Sequence, residues 1–195
     1  MEAPDSTRRI RFGGWCFRHR GWLPAPPLLW ALFIGAPTRG SLVVGTGLIL
    51  LGEAGRIWAA RHIGRQSRTR ADGAGALATG GPYRFVRNPL YVFNCVLHSG
   101  VALAMMTPAA WALPIFVAGL YALVVRWEET QVLKVHGASY REYTQRVGRF
   151  VPRGKPLQPR DPTVTLGAAL RAERGTFVVL LVVLVGVWGR PYLSL

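Results

Sequence analysis

Lysine is nearly absent from this chain; Lys134 and Lys155 are the only two. Cysteine is equally scarce, and there are only nine acids against 24 lysines and arginines. Each shortage excludes something. Cys16 lies in a basic segment and Cys95 in an apolar one, so no disulfide framework follows. His19, His62, His98 and His136 show no ligand spacing with one another or with the cysteines, so no metal site is expected. The shortage of acids leaves a net charge of +15, carried almost entirely by arginine. Such a charge ordinarily suggests nucleic-acid binding. No nucleic-acid module is present, however, half of the residues are apolar, and the mean hydropathy is +0.23. The charges stand in blocks between apolar runs, as in a basic membrane protein.

At 195 residues the chain reads as one membrane domain. Residues 1–21 form a basic terminus with Arg8, Arg9, Arg11, Arg18 and Arg20, expected on the membrane surface with Trp15, Phe17 and Trp22 at the interface. Residues 22–127 hold four apolar runs. The first, about 22–37, starts with Pro24, Pro26 and Pro27; it has no clear small-residue cleavage site and reads as an uncleaved span. The second, about 41–60, carries Gly45, Gly47 and Gly52, which allow close helix packing, and ends with Glu53 and Arg56 spaced to pair. A basic loop, Arg61 to Arg87, follows; its part from Gly64 to Gly81 offers little for a core. The third run, about 90–106, and the fourth, about 109–127, are separated only by Thr107-Pro108, which implies a helical hairpin. Residues 128–165 read as a cytoplasmic helix over 128–146 and a proline-rich irregular segment. Residues 166–195 read as a last span, provided its helix starts near Leu166.

The expected fold is therefore an all-α polytopic bundle of about five transmembrane helices. With the N-terminus in the cytoplasm, the outer loops are Thr38–Gly40, with one arginine, and Thr107-Pro108, with none. Nearly all other arginines then face inward, as the positive-inside rule demands.

The stretch Gly80-Gly81-Pro82-Tyr83-Arg84-Phe85-Val86-Arg87-Asn88-Pro89-Leu90-Tyr91 joins the basic loop to the third run. Glycine and proline make its turn, Asn88 can cap a helix, and Pro89 suits the first helical turn. This stretch resembles the Gly-Pro-Tyr-Arg-x-x-Arg-His-Pro-x-Tyr signature of a membrane methyltransferase superfamily. Its members include isoprenylcysteine carboxyl methyltransferases and phospholipid N-methyltransferases. A second block, Glu128-Glu129 with Leu133, Gly137, Tyr140, Tyr143, Arg149 and Pro152, is similar to the same family. So is the segment from Gly52 to Ala59 with Gly64, so the resemblance covers roughly residues 45–152. Asn88 stands where the family usually has histidine.

The resemblance implies an S-adenosylmethionine-dependent methyltransferase with a lipophilic acceptor, a carboxylate or an amine of an isoprenoid or lipid. The cofactor is a cytoplasmic metabolite, which agrees with the cytoplasmic face that the charge pattern gives both blocks and hence the active site, and the arginine-heavy composition and compact size suggest a bacterial inner membrane. Tyr83, Asn88, Pro89, Tyr91, Glu128 and Glu129 are then expected to hold the cofactor, with Arg87 and Arg149 as catalytic residues. Arg87 can grip a carboxylate through two parallel hydrogen bonds. By residue chemistry alone, plainer roles compete: lipid phosphates for Arg84 and Arg87, an interfacial belt for Tyr83 and Tyr91, and a salt bridge to Arg126 or a loop arginine for the glutamates. Asn88 can donate a hydrogen bond but, unlike imidazole, takes up no proton near neutral pH. Two further readings stay open. One is a nicotinamide-dependent membrane reductase of the sterol-reductase type; the other is a non-catalytic protein that keeps the scaffold.

Overall fold

The computed structural model describes residues 4–63 and 76–192. Residues 64–75 of the expected basic loop, Gly64 among them, lie outside those described, as does the side chain of Arg9. The described residues are helical, in α1 (Pro4–His19), α2 (Ala25–Phe33), α3 (Arg39–Ile63), α4 (Pro89–Met105), α5 (Ala112–Arg146) and α6 (Leu166–Gly189). Short 3-10 turns occupy Gly81–Arg84, Pro108–Trp111 and Arg190–Tyr192. Among the described residues there is no strand, only an isolated parallel bridge between Val86 and Gly148.

Several boundaries differ from expectation. The first apolar run yields only the nine residues of α2. At 1.5 Å per residue that is roughly 14 Å, about half a hydrocarbon core. Its prolines delay the helix, and Pro37 follows soon after its end. The basic terminus, expected on the membrane surface with no secondary structure assigned, is a 16-residue helix. The fourth run and the polar helix after it are one 35-residue element, α5. The change from apolar to polar at Trp127-Glu128 is no helix stop, since nothing there costs a backbone hydrogen bond. The break comes instead at Gly137, whose φ of 49° suits a residue without a Cβ. The last helix starts at Leu166, as required for a span. Where five spans were expected, two helical stretches among the described residues, Arg39–Ile63 and Pro108–Arg146, are long and apolar enough to cross a membrane. The helix Pro89–Met105 is apolar but shorter.

The chain divides into two compact units. The first comprises Met1–Gly52, Cys95–Thr130 and Leu180–Leu195. Its packing depends on small residues. A Cβ on Gly45 would sit 2.6 Å from both the Gly100 carbonyl oxygen and the Ala104 Cβ, and one on Gly100 would sit 2.7 Å from the Ile49 nitrogen. At this crossing α3 and α4 touch backbone to backbone, the approach that small residues allow in membrane helices. Of the glycines expected to do this, Gly45 does, while Gly47 faces open space. Thr38 and Ser41 cap α3 reciprocally: each backbone amide donates to the other's hydroxyl, at 2.9 and 3.1 Å. The Ser41 hydroxyl lies 2.9 Å from the Ala104 carbonyl, and the Ala36 amide donates to the Met105 carbonyl, which ties the start of α3 to the end of α4.

The second unit comprises Glu53–Asn94 and Gln131–Val179. One buried cluster in it is formed by Tyr140, Tyr143 and Val147, with Leu77, Val132, Leu133 and Leu157 packed around them. Ala59, Ala60, Val86 and Ala169 are buried in the same unit, the Trp58 ring lies 6.5 Å from those of Phe85 and Phe93, and the unit contains the signature stretch.

Candidate functional site

The signature stretch folds as a tight turn that launches α4. Gly80 is extended, Gly81 has a φ of +50°, and Pro82 sits in the first turn of the 3-10 helix Gly81–Arg84. His62 packs directly over Gly81, so a side chain there would collide with the imidazole. The ring is fixed from its other side, where Nδ1 donates to the Trp58 carbonyl at 2.9 Å. The helix begins at Pro89, as the Asn-Pro pair predicts. The Asn88 carbonyl accepts from the amides of Tyr91 and Val92 at 3.1 and 3.3 Å.

The second sequence block reaches this turn and clamps it. The Arg87 amide donates to the Gly148 carbonyl at 2.8 Å, next to the Val86–Gly148 bridge. Arg87 Nη1 donates to the Thr144 carbonyl at 3.2 Å. Asn88 Nδ2 donates to the Arg149 carbonyl at 3.3 Å. The Tyr143 hydroxyl donates to the Tyr83 carbonyl at 2.7 Å, and the Leu157 amide to the Arg84 carbonyl at 3.3 Å. Each such bond contributes roughly 1 kcal/mol net, so together they rival a small apolar core.

The expected site residues divide accordingly. Tyr83, Pro89 and Tyr91 are buried, and Arg87 and Asn88 are half-buried, all on the turn or the first turn of α4. Arg149 has an exposed side chain and meets the turn through its carbonyl. The structure therefore gathers Tyr83, Arg87, Asn88 and Arg149 into one unit. Glu128 and Glu129 belong to the other unit, on α5, with Glu128 buried and Glu129 half-buried. Such a difference is expected for neighbours about 100° apart on a helix. Tyr143, absent from the expected site residues, is one of the clamp's ties. Its place in the second block, one helical turn from Tyr140, was the available signal. Arg84 also gains interest. Its Nε is buried with no hydrogen-bond partner among the described residues, and its guanidinium carbon lies 5.2 Å from the Phe85 ring centroid.

The pairing expected of Glu53 and Arg56 is present and is part of a larger group. Arg56 Nη1 lies 3.4 Å from Glu53 Oε2, and its Nη2 lies 3.2 Å from Glu173 Oε2. The Thr176 hydroxyl donates to Glu173 Oε2 at 2.8 Å. Both glutamates are buried, so one guanidinium serves two carboxylates and fixes the end of α3 to the start of α6. Cys16 and Cys95 are free thiols, as their contexts suggested.

A family profile described as phospholipid methyltransferase matches residues 41–139, just over half of the chain. The chain belongs to the phospholipid methyltransferase family. This family lies within the isoprenylcysteine carboxyl methyltransferase-like superfamily. The matched residues contain the signature turn and the Glu128-Glu129 pair, and stop short of the clamp residues 143–149. Two curated relatives are also similar. A nickel-cobalt-cadmium resistance protein of Alcaligenes xylosoxydans xylosoxydans is 33% identical over 119 residues, 57% of this chain and 50% of the relative. A cobalt-zinc-cadmium resistance protein of Cupriavidus metallidurans is 33% identical over 114 residues, 57% of this chain and 49% of the relative. The chain thus spans about half the length of the curated relatives it matches. No solved structure matches it.

Proposed function

We propose that this phospholipid methyltransferase family member is an integral membrane enzyme that uses S-adenosylmethionine to methylate a carboxylate or amine of a lipophilic acceptor. The observation that carries the reading is the clamped signature turn. The family's most specific residues are held at the mouth of an apolar helix by hydrogen bonds to backbone carbonyls, several of them from side chains. The donor set fits the cofactor. A carboxylate can accept from ribose hydroxyls or an amino group, and a guanidinium can grip the methionine carboxylate. In this reading Glu128 and Glu129 take the hydroxyls and the amino group. Arg87 takes a carboxylate, with Tyr83, Asn88, Pro89 and Tyr91 shaping the contact and Arg149 near the acceptor. The orphaned Nε of Arg84 supports an anionic group at the turn.

The cofactor supplies an activated methyl group and its own leaving group. What remains for the protein is alignment and exclusion of water. A carboxylate acceptor needs no base, whereas an amine must be neutral before it attacks. Asn88 performs a task open to an imidazole as well, donation to a backbone carbonyl. On this reading its replacement of the family histidine preserves the turn. We further propose about five spans, with the N-terminus and both sequence blocks on the cytoplasmic face of the inner membrane, because the arginines segregate as the positive-inside rule requires.

The test is calorimetry of the purified full chain with S-adenosylmethionine, together with mass spectrometry of lipid extracts incubated with an isotopically labelled methyl donor. Saturable binding that is lost in Arg87→Ala and in Glu129→Ala, with label entering a lipid fraction, is the expected result. Stabilisation by a reduced nicotinamide instead would favour the reductase. Cofactor binding without turnover on any lipid would favour a non-catalytic scaffold.

A further inference from the structure

We propose that the outward face of α1 is a binding surface for the headgroups of anionic phospholipids. The inference is independent of methyl transfer. The helix has two unlike sides. On the inner side, a Cβ on Gly13 would lie 2.6 Å from the Leu123 carbonyl oxygen, and one on Gly14 would lie 2.8 Å from the Trp127 indole nitrogen. These glycines let α1 lie flat against α5. Cys16 is buried on the same side, and the Phe17 ring stacks on Trp127 with centroids 4.7 Å apart. Phe17, expected at the interface with Trp15 and Trp22, therefore packs inward.

The outer side reads Arg8, Arg11, Phe12, Trp15, Arg18 and His19, continued by Trp22 in the turn that follows. At about 100° per residue these positions fall within an arc of roughly 120°. Their rings form a chain: Phe12 stacks on Trp15 at 5.8 Å, Trp15 meets His19 at 4.5 Å, and His19 meets Trp22 at 5.9 Å. Phe12 is 53% exposed, Trp15 40% and Trp22 56%. Arg8, Arg11 and Arg18 are exposed beside them, and no carboxylate stands among the described side chains of α1. An exposed row of large aromatics interleaved with guanidinium groups is poorly served by water and equally poorly by hydrocarbon. The headgroup layer satisfies both, because the rings lie at the acyl boundary and the arginines reach phosphate.

The neighbouring elements agree. Leu29, Trp30 and Phe33 on α2, and Val43 and Val44 on α3, are all more than half exposed and call for hydrocarbon next to α1. The three exposed arginines Arg8, Arg11 and Arg18 select lipids with net negative headgroups over zwitterionic ones.

The experiment reconstitutes the full chain in nanodiscs that contain phosphatidylcholine and phosphatidylglycerol. Spin-labelled versions of each lipid then report which one gathers at the protein. Wild type should prefer phosphatidylglycerol, and added salt should weaken the preference. The Arg8→Gln, Arg11→Gln, Arg18→Gln variant should lose up to about fivefold in preference per arginine at low salt. The matching Arg→Lys variant should keep most of it. An unchanged preference in a folded glutamine variant overturns the proposal. So does a lysine variant as poor as the glutamine one, or a loss of co-purifying nucleic acid in place of lipid. Should the glutamine variant fail to fold, a wild-type preference indifferent to salt overturns the proposal on its own.

Discussion

The two units of this molecule are built from different materials. In the first, α3 and α4 meet at Gly45 and Gly100, where backbone touches backbone and no side chain intervenes. In the second, a buried apolar cluster consists of Tyr140, Tyr143 and Val147, and the turn is held by donors aimed at carbonyls. The first kind of contact is rigid but offers a ligand no chemistry. The second fixes a loop that carries Arg84 and Arg87 up to the start of an apolar helix.

The contrast can be broken from either side. The largest effect should come from Arg56→Leu in the second unit. It leaves Glu53 and Glu173 buried without their shared counter-charge, and breaking such a group costs about 3–5 kcal/mol. A fall in the thermal midpoint of the detergent-solubilised chain would show it, and an unchanged midpoint would mean that the group is not structural. In the first unit, Gly100→Leu forces a side chain against the Ile49 backbone and should cost about 1–3 kcal/mol by the same measurement. If it is neutral, the helices do not meet at this point. A smaller loss, about 1 kcal/mol, is expected for Tyr143→Phe, which keeps the ring and removes the donor to the Tyr83 carbonyl. Hydrogen exchange over residues 80–91 should rise in that variant, while exchange in the first unit stays level. The smallest effect belongs to Asn88→His. It restores the family residue and keeps a donor for the Arg149 carbonyl, so the midpoint should move by less than about 0.5 kcal/mol. Asn88→Leu, which has no donor, should cost about 1 kcal/mol more. Equal behaviour of the two variants would show that the amide contributes nothing to the clamp.

Much of this was legible from residue order. The start of α4 at Asn88-Pro89 and the turn at Gly80-Gly81-Pro82 follow from local backbone preferences, which need no distant partner. The Glu53–Arg56 pair was readable from helical spacing, but Glu173, 117 residues beyond Arg56, was not. The extent of α5 was misjudged because polarity changes at Trp127 while helix propensity does not. The inward turn of Phe17 was also hidden, because Gly13 and Gly14 look like flexibility until Trp127 is seen lying against them.

Family membership, the all-helical class and the basic, lysine-poor surface were determined by sequence alone, since each rests on local composition or on short-range spacing. Tertiary structure decided which polar groups are occupied in holding the turn, which face of α1 is left outside, and which second carboxylate shares Arg56. These are contacts between segments far apart in the chain, and their free energy arises only once folding has removed both partners from water.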